Sequence, residues 1–187
     1  GYGHLRRYLS FLRASYEVPR SRAMAPLLRA TDAFLGYRKG PLALYALSKY
    51  IGREKVNGAI RRMIARHHTE AAPLATTLDL YRELQAVTPD SLHYLLHDLF
   101  ETNTYWDLKT KQATARPTTA GTWQVTLQLQ ARKLLVDSAG TEHPLPMNDW
   151  VEIGVLAPRG KDEDVARALY RHKQRIRSGL QTISVTV

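Results

Sequence analysis

The chain has 187 residues, 44% of them hydrophobic and 24% charged, which is enough for one sizeable domain or two small ones and excludes a disordered class. It contains no cysteine, so a disulfide framework, a thiolate zinc site and a cysteine nucleophile are all excluded. The formal net charge of +10 brings nucleic acid or an anionic membrane surface into consideration. The basic residues run from Arg6 to Arg177 without a block of five or six, so a generally basic surface is expected and no specific nucleic acid is favoured.

In chain order, Leu5, Tyr8, Leu9, Leu12 and Tyr16 follow helical spacing with Arg6, Arg7 and Arg13 off the stripe, which predicts a helix ended by Pro19. From Arg20 to Gly36 the pattern is irregular, with one short turn expected at Pro26-Leu27-Leu28-Arg29. Gly36-Tyr37-Arg38-Lys39-Gly40 reads as a loop delivering the chain into a helix that begins at Pro41, where a missing N–H costs nothing, and stops near Gly52. That helix is apolar nearly all round, with Leu44, Leu47 and Ile51 on one side and Ala43, Ala46 and Tyr50 on another, so it is expected to be internal. Tyr37 is thereby placed on a loop beside a rigid element, a common way to present a working side chain.

Val56, Ala59, Ile60, Met63 and Ile64 form the next stripe. Thr76 and Asp79 have the spacing of a capping box, opening a short helix with Leu78, Tyr81 and Leu84 inward. Thr88-Pro89-Asp90 predicts a further helix start, with Leu92, Leu95, Leu96, Leu99 and Phe100 facing in. Past Asn103 the period falls to two. Trp123, Val125, Leu127, Leu129 and Ala131 alternate with polar residues as a half-buried strand, which the run Tyr105 to Ala115 should join through a turn at Pro117 to Gly121. Lys133 to Val136, Trp150 to Leu156 and Leu180 to Val187 read as further strands, while Asp162 to His172 fits helix and strand equally. The fold class expected is α+β: about five helices over residues 1–104, then an antiparallel, sandwich-like β domain over residues 105–187.

Several groups invite a chemical reading. His93 and His97 have the spacing of helical zinc ligands, but Tyr94 stands where a hydrolytic zinc helix needs a glutamate, so both read as boundary histidines. His67-His68 closes an arginine-rich helix, where positive charge suits the helix dipole. No nucleophile elbow, phosphate loop or dinucleotide fingerprint is present. Trp106, Trp123 and Trp150 are expected in the sheet core rather than on a base-stacking platform.

From Tyr37 to about Thr114 the chain resembles the stretch that follows the zinc site in gluzincin aminopeptidases, the family of aminopeptidase N and the leukotriene hydrolases. The residues that carry the likeness are Tyr37-x-Lys39-Gly40, the helix ending in Ile51-Gly52-Arg53-Glu54, the helix to His67, Thr77-x-Asp79-Leu80, Leu92 to Phe100 and Trp106 leading into strands. Tyr37-Arg38-Lys39-Gly40-Pro41 and Leu84-Gln85-Ala86-Val87-Thr88-Pro89-Asp90 also look like a bacterial branch in which the peptidase-like domain is joined to ABC-transporter-permease-like membrane segments.

The resemblance implies that Tyr37 is the catalytic tyrosine that donates a hydrogen bond to the oxyanion formed during peptide hydrolysis. An uncharged phenol is a donor at neutral pH, and a fixed donor in a drier cleft favours the charged intermediate. It also implies zinc in a longer parent protein and none in this piece, because the family's His-Glu-x-x-His helix and its later glutamate have no counterpart here. Arg38 replaces an acidic residue common at that place. The opening at Gly1, with a helix under way almost at once, reads as an excised, soluble piece of a parent that is either a membrane-anchored bacterial peptidase acting on peptides or a non-catalytic relative used for protein contacts. The rival reading is a basic α+β binding module that contacts nucleic acid or anionic lipid through arginine-rich helix faces.

Overall fold

A computed structural model describes residues 7–12, 14, 25–31, 33–67, 74–158 and 166–187. The protein is α+β, with helices first and antiparallel strands after them. It divides into two compact units, Gly1–Thr104 with Leu135–Glu142, and Tyr105–Leu134 with His143–Val187.

In the first unit residues 7–12 are helical, with Leu12 buried and Tyr8, expected inward, exposed. A 3₁₀ turn at Leu27–Arg29 meets the expectation there, closed by Arg29 N–H donating to the Pro26 carbonyl. The largest fully buried side chains of this unit are Leu12, Leu35, Leu47, Leu84 and Leu96. Helix α1 (Gly40–Ile51) buries Ala43, Leu47 and Ile51. It is not buried on all sides as its composition led us to expect. Lys49 is exposed with its ammonium 4.9 Å from the Tyr45 ring centre, so the aromatic and small residues of its other faces form a half-buried margin. Gly52, at φ 96°, closes α1 by donating to the Ser48 carbonyl, a backbone conformation that favours glycine.

Helix α2 (Arg53–Arg66) buries Val56 and Ala59, whereas Ile64, at the end of the expected stripe, is exposed. Its arginines serve helix α3 (Thr77–Gln85). The buried carboxylate of Glu83 receives Arg62 Nε at 2.7 Å and is also paired with Arg66. A carboxylate facing inward is tolerable because both its oxygens are matched by cations.

Helix α3 begins with the capping box that the spacing predicted. Asp79 N–H donates to Thr76 Oγ1 at 3.3 Å, and Thr76 N–H donates to Asp79 Oδ2 at 2.9 Å. Tyr81 and Leu84 face inward, but Leu78 is exposed. The expected start at Thr88 is corrected. Thr88 Oγ1 caps nothing ahead of it and instead donates back to the Leu84 carbonyl at 2.7 Å, a second bond on an oxygen that also accepts the Val87 N–H at 3.2 Å at the end of α3. Pro89 holds an extended conformation, and the chain then passes through a 3₁₀ turn (Asp90–Leu92) into helix α4 (His93–Phe100), which buries Leu95, Leu96 and Phe100.

The strands are β1 (Thr104–Pro117), β2 (Trp123–Val136), β3 (Glu142–Leu145), β4 (Asn148–Leu156), β5 (Ala168–Arg177) and β6 (Gly179–Thr186). One sheet joins β1 to β2 and β2 to both β3 and β6; the other is the β4–β5 pair. Strand β6 runs antiparallel to β2 from Gln124 opposite Thr186 to Ala131 opposite Gly179. Val125, Leu127 and Ala131 of β2, Ile153 of β4, Ile176 of β5 and Val185 of β6 share one core with Met147, so the two sheets pack as a small sandwich.

Three strand expectations need correction. Strand β2 runs unbroken through Arg132. Strand β3 was not foreseen, because Pro144 and exposed polar residues hide its pattern. The ambiguous stretch to His172 is strand from Ala168 onward and continues to Arg177; residues 161–165 lie outside the described set. Tyr170 and Ile176 alternate toward the core there among cations, a pattern too polar to stand out.

The capping box yields a first prediction. Thr76→Ala should lower unfolding free energy by about 1 kcal/mol, measured by urea denaturation. The hydrogen bonds from Thr76 hold the Asp79 carboxyl below its ordinary value. Its contribution is therefore present above the unfolded-state pKa and lost as pH falls through the folded one. An NMR titration should find the Asp79 midpoint below that of a free aspartate, and Thr76→Ala should move it upward, though not all the way, because the backbone N–H at position 76 still donates.

Candidate functional site

Tyr37 lies in no loop. Leu35–Lys39 form a π-helical turn running straight into α1, with Gly40 N–H donating to the Leu35 carbonyl five residues back. Pro41 gives the physical reason. It lacks the N–H that would close a regular turn onto Tyr37, and its ring crowds the carbonyl there, so the wider turn relieves both problems. The stretch from Leu35 to Ile51 is consequently one continuous rod.

The Tyr37 ring is 74% exposed, and among the described residues its hydroxyl has no hydrogen-bond partner. It lines an open groove of about 450 Å³ with Tyr8, Leu12, Ala33, Phe34 and Arg38. The Arg38 guanidinium lies 4.7 Å from the centre of the Phe11 ring beside this groove, a cation–π contact that places a positive charge next to Tyr37.

Two positions further on, Lys39 points the other way and is 6% exposed. Its Nζ donates to Asn103 Oδ1 at 2.9 Å. Asn103 is itself buried: its Nδ2 donates to the Val136 carbonyl at 3.3 Å, and its own carbonyl accepts from Val136 N–H at 3.0 Å. Burial pulls the Lys39 ammonium down to about 8. The turn that exposes Tyr37 is thus anchored by its other face to the end of the helical segment. Asn103 escaped the sequence reading, whereas Lys39 left a signal: it precedes the buried Ala43, Leu47 and Ile51 by four, eight and twelve positions, which puts it on their face.

The remaining residues singled out by sequence do not join this site. His93 Nε2 lies 2.9 Å from the Thr88 carbonyl, and His97 Nδ1 lies 3.3 Å from Glu101, each ring engaged locally. Glu101 also accepts from the Tyr81 hydroxyl, whose own pKa is raised by burial and by that carboxylate. His67 receives no further role, and His68 lies outside the described residues. Among the described residues no three histidine or carboxylate side chains gather as metal ligands.

Of the three tryptophans expected in the sheet core, only Trp106 packs against it; Trp123 is 50% exposed and Trp150 is exposed on the outward face of its strand. Trp123 sits at the end of β2, where its backbone pairs with the terminal Val187 and little sheet remains to cover the ring. Trp106 Nε1 donates to Asp149 Oδ2 at 2.7 Å, and Lys133 Nζ is 3.3 Å from the same oxygen, both charges being buried. This cluster joins β1, β2 and β4 inside the sandwich. The polar Asp149 between Met147 and Val151 was its one trace in the sequence.

Lys39 generates the second prediction. Above about pH 8 the native chain sheds a proton that the unfolded chain keeps until about 10.4, so unfolding free energy should rise with pH across that window. The raised Tyr81 acts oppositely, and only above the ordinary tyrosine range near 10. Urea unfolding of Lys39→Met should show no such rise; a rise of unchanged slope would remove Lys39 as its source.

Comparison with protein-family models, with curated proteins and with solved structures finds no match for this chain.

Proposed function

We propose that this chain is the C-terminal part of a zinc-aminopeptidase-like protein, and that it contributes Tyr37 and its scaffold to a peptide-cleaving site whose metal-binding half lies in other polypeptide. The observation that carries this reading is the pairing of an exposed Tyr37 hydroxyl, without a partner among the described residues, with a buried Lys39 two positions away. One face of the turn is locked while the other offers a donor at an open groove.

In this reading Tyr37 Oη donates to the oxygen of a scissile carbonyl as that oxygen gains charge. Rigidity matters because a donor already in place needs no reorganisation when the charge develops. Water at the exposed ring would compete for the same hydroxyl, so the proposal requires the missing half of the site to cover the groove and exclude it. Arg38 adds positive charge at the groove wall and so favours substrates with a carboxylate near the cleaved bond. In this reading the peptide reaches Tyr37 only in the parent protein.

The test is Tyr37→Phe in the longer protein. It should keep its metal content and KM while kcat falls by about 10²–10³-fold, the cost of losing one oxyanion donor elsewhere. Unchanged kcat would remove Tyr37 from the chemistry. Release of product from an aminoacyl-naphthylamide by the isolated chain would overturn the division of the site.

A further inference from the structure

The β4–β5 pair has one face in the sandwich core and one outside it. Ile153, Ile176 and, less completely, Val151, Val155 and Tyr170 turn inward. The alternate positions turn outward, and the register sets Asn148 opposite Arg177, Trp150 opposite Arg175, Glu152 opposite Lys173 and Gly154 opposite Arg171. Four cations therefore occupy successive outward positions of a single strand, roughly 6.8 Å apart. Among the described residues of the pair, one carboxylate shares the face: Glu152, which accepts from Arg171 at 2.7 Å. The Arg175 guanidinium lies 4.7 Å from the centre of the Trp150 ring. Apolar groups share the same side, with Trp150 36%, Leu156 59% and Leu169 38% exposed.

We propose that this face docks on the surface of an anionic lipid bilayer. Charge complementarity is the first argument, because a row of four cations with one opposing carboxylate matches a plane of phosphates. The mixture of groups is the second. A bilayer presents phosphate at its surface and hydrocarbon immediately below, and this face offers Lys and Arg to the first and Trp150, Leu156 and Leu169 to the second. Single-stranded nucleic acid fits less well, since it is held by a groove tracking the backbone and by several stacking rings, whereas among its described residues this face carries one aromatic, Trp150. The general basicity of the chain does not account for the arrangement, because it would not align cations on one face or place exposed leucines beside them.

The test is co-sedimentation of the chain with vesicles of equal parts phosphatidylglycerol and phosphatidylcholine. Binding should fall with added salt and be absent on phosphatidylcholine alone. Each cation removed should weaken partitioning roughly fivefold, so the double variant Lys173→Gln/Arg177→Gln should lose roughly 25-fold. The double variant Lys55→Gln/Arg61→Gln, which removes the same charge from exposed positions on α2, should change it little. Trp150→Phe should abolish most of the vesicle-induced blue shift in tryptophan fluorescence. Circular dichroism should show every variant folded. Equal losses in the two double variants would overturn the proposal, as would a lack of binding to anionic vesicles at low salt. So would binding to a single-stranded oligonucleotide that Lys173→Gln/Arg177→Gln weakens to the same degree.

Discussion

A buried ammonium governs the geometry of the turn that carries Tyr37. Lys39 gives up water for a hydrogen bond from Nζ to Asn103, and Asn103 is itself held at both backbone and side chain by Val136. Burying a cation is costly, as its lowered pKa registers, and it is sustained only where the surroundings leave the side chain no better place. The return for that cost is orientation. With Lys39 fixed inward, the intervening π-helical geometry turns Tyr37 outward, and Pro41 makes the wide turn the favourable way into α1.

The same logic recurs in both units. Glu83 is buried between α2 and α3 against Arg62 and Arg66, and Asp149 is buried inside the sandwich against Lys133 and Trp106. Each carboxylate is held by more than one donor, the condition under which an inward charge is tolerated. Such clusters add less to stability than hydrocarbon of equal volume would, but they constrain geometry: only one mutual placement of the contributing elements satisfies them. The β4–β5 face, by contrast, gathers cations at outward positions beside apolar side chains.

For function, the consequence is a chain with two distinct outward resources. One is a phenol at an open groove, which in the proposed reading acts once further polypeptide narrows that groove. The other is a cationic and apolar strip, which needs a partner rather than a completed cleft. No helix among the described residues is long and apolar enough to cross a membrane.

Period and punctuation alone were sufficient for the α+β class, the switch from helix to strand after Asn103, the capping box at Thr76 and the β2 alternation, because each follows from bonding between residues near in sequence. Long-range partners decided the rest. Ile64, Leu78, Trp123 and Trp150 carry the pattern of buried residues yet are exposed, since covering them requires another element to arrive and none of the described ones does. Thr88 turned back to α3, where the Leu84 carbonyl accepts its hydroxyl as well as the Val87 N–H. Strand β5 became legible only once β4 lay beside it, and Lys39 proved internal only when Asn103, sixty-four residues away, came to meet it. Local sequence sets which backbone conformations are favourable, whereas burial depends on what the folded chain brings alongside.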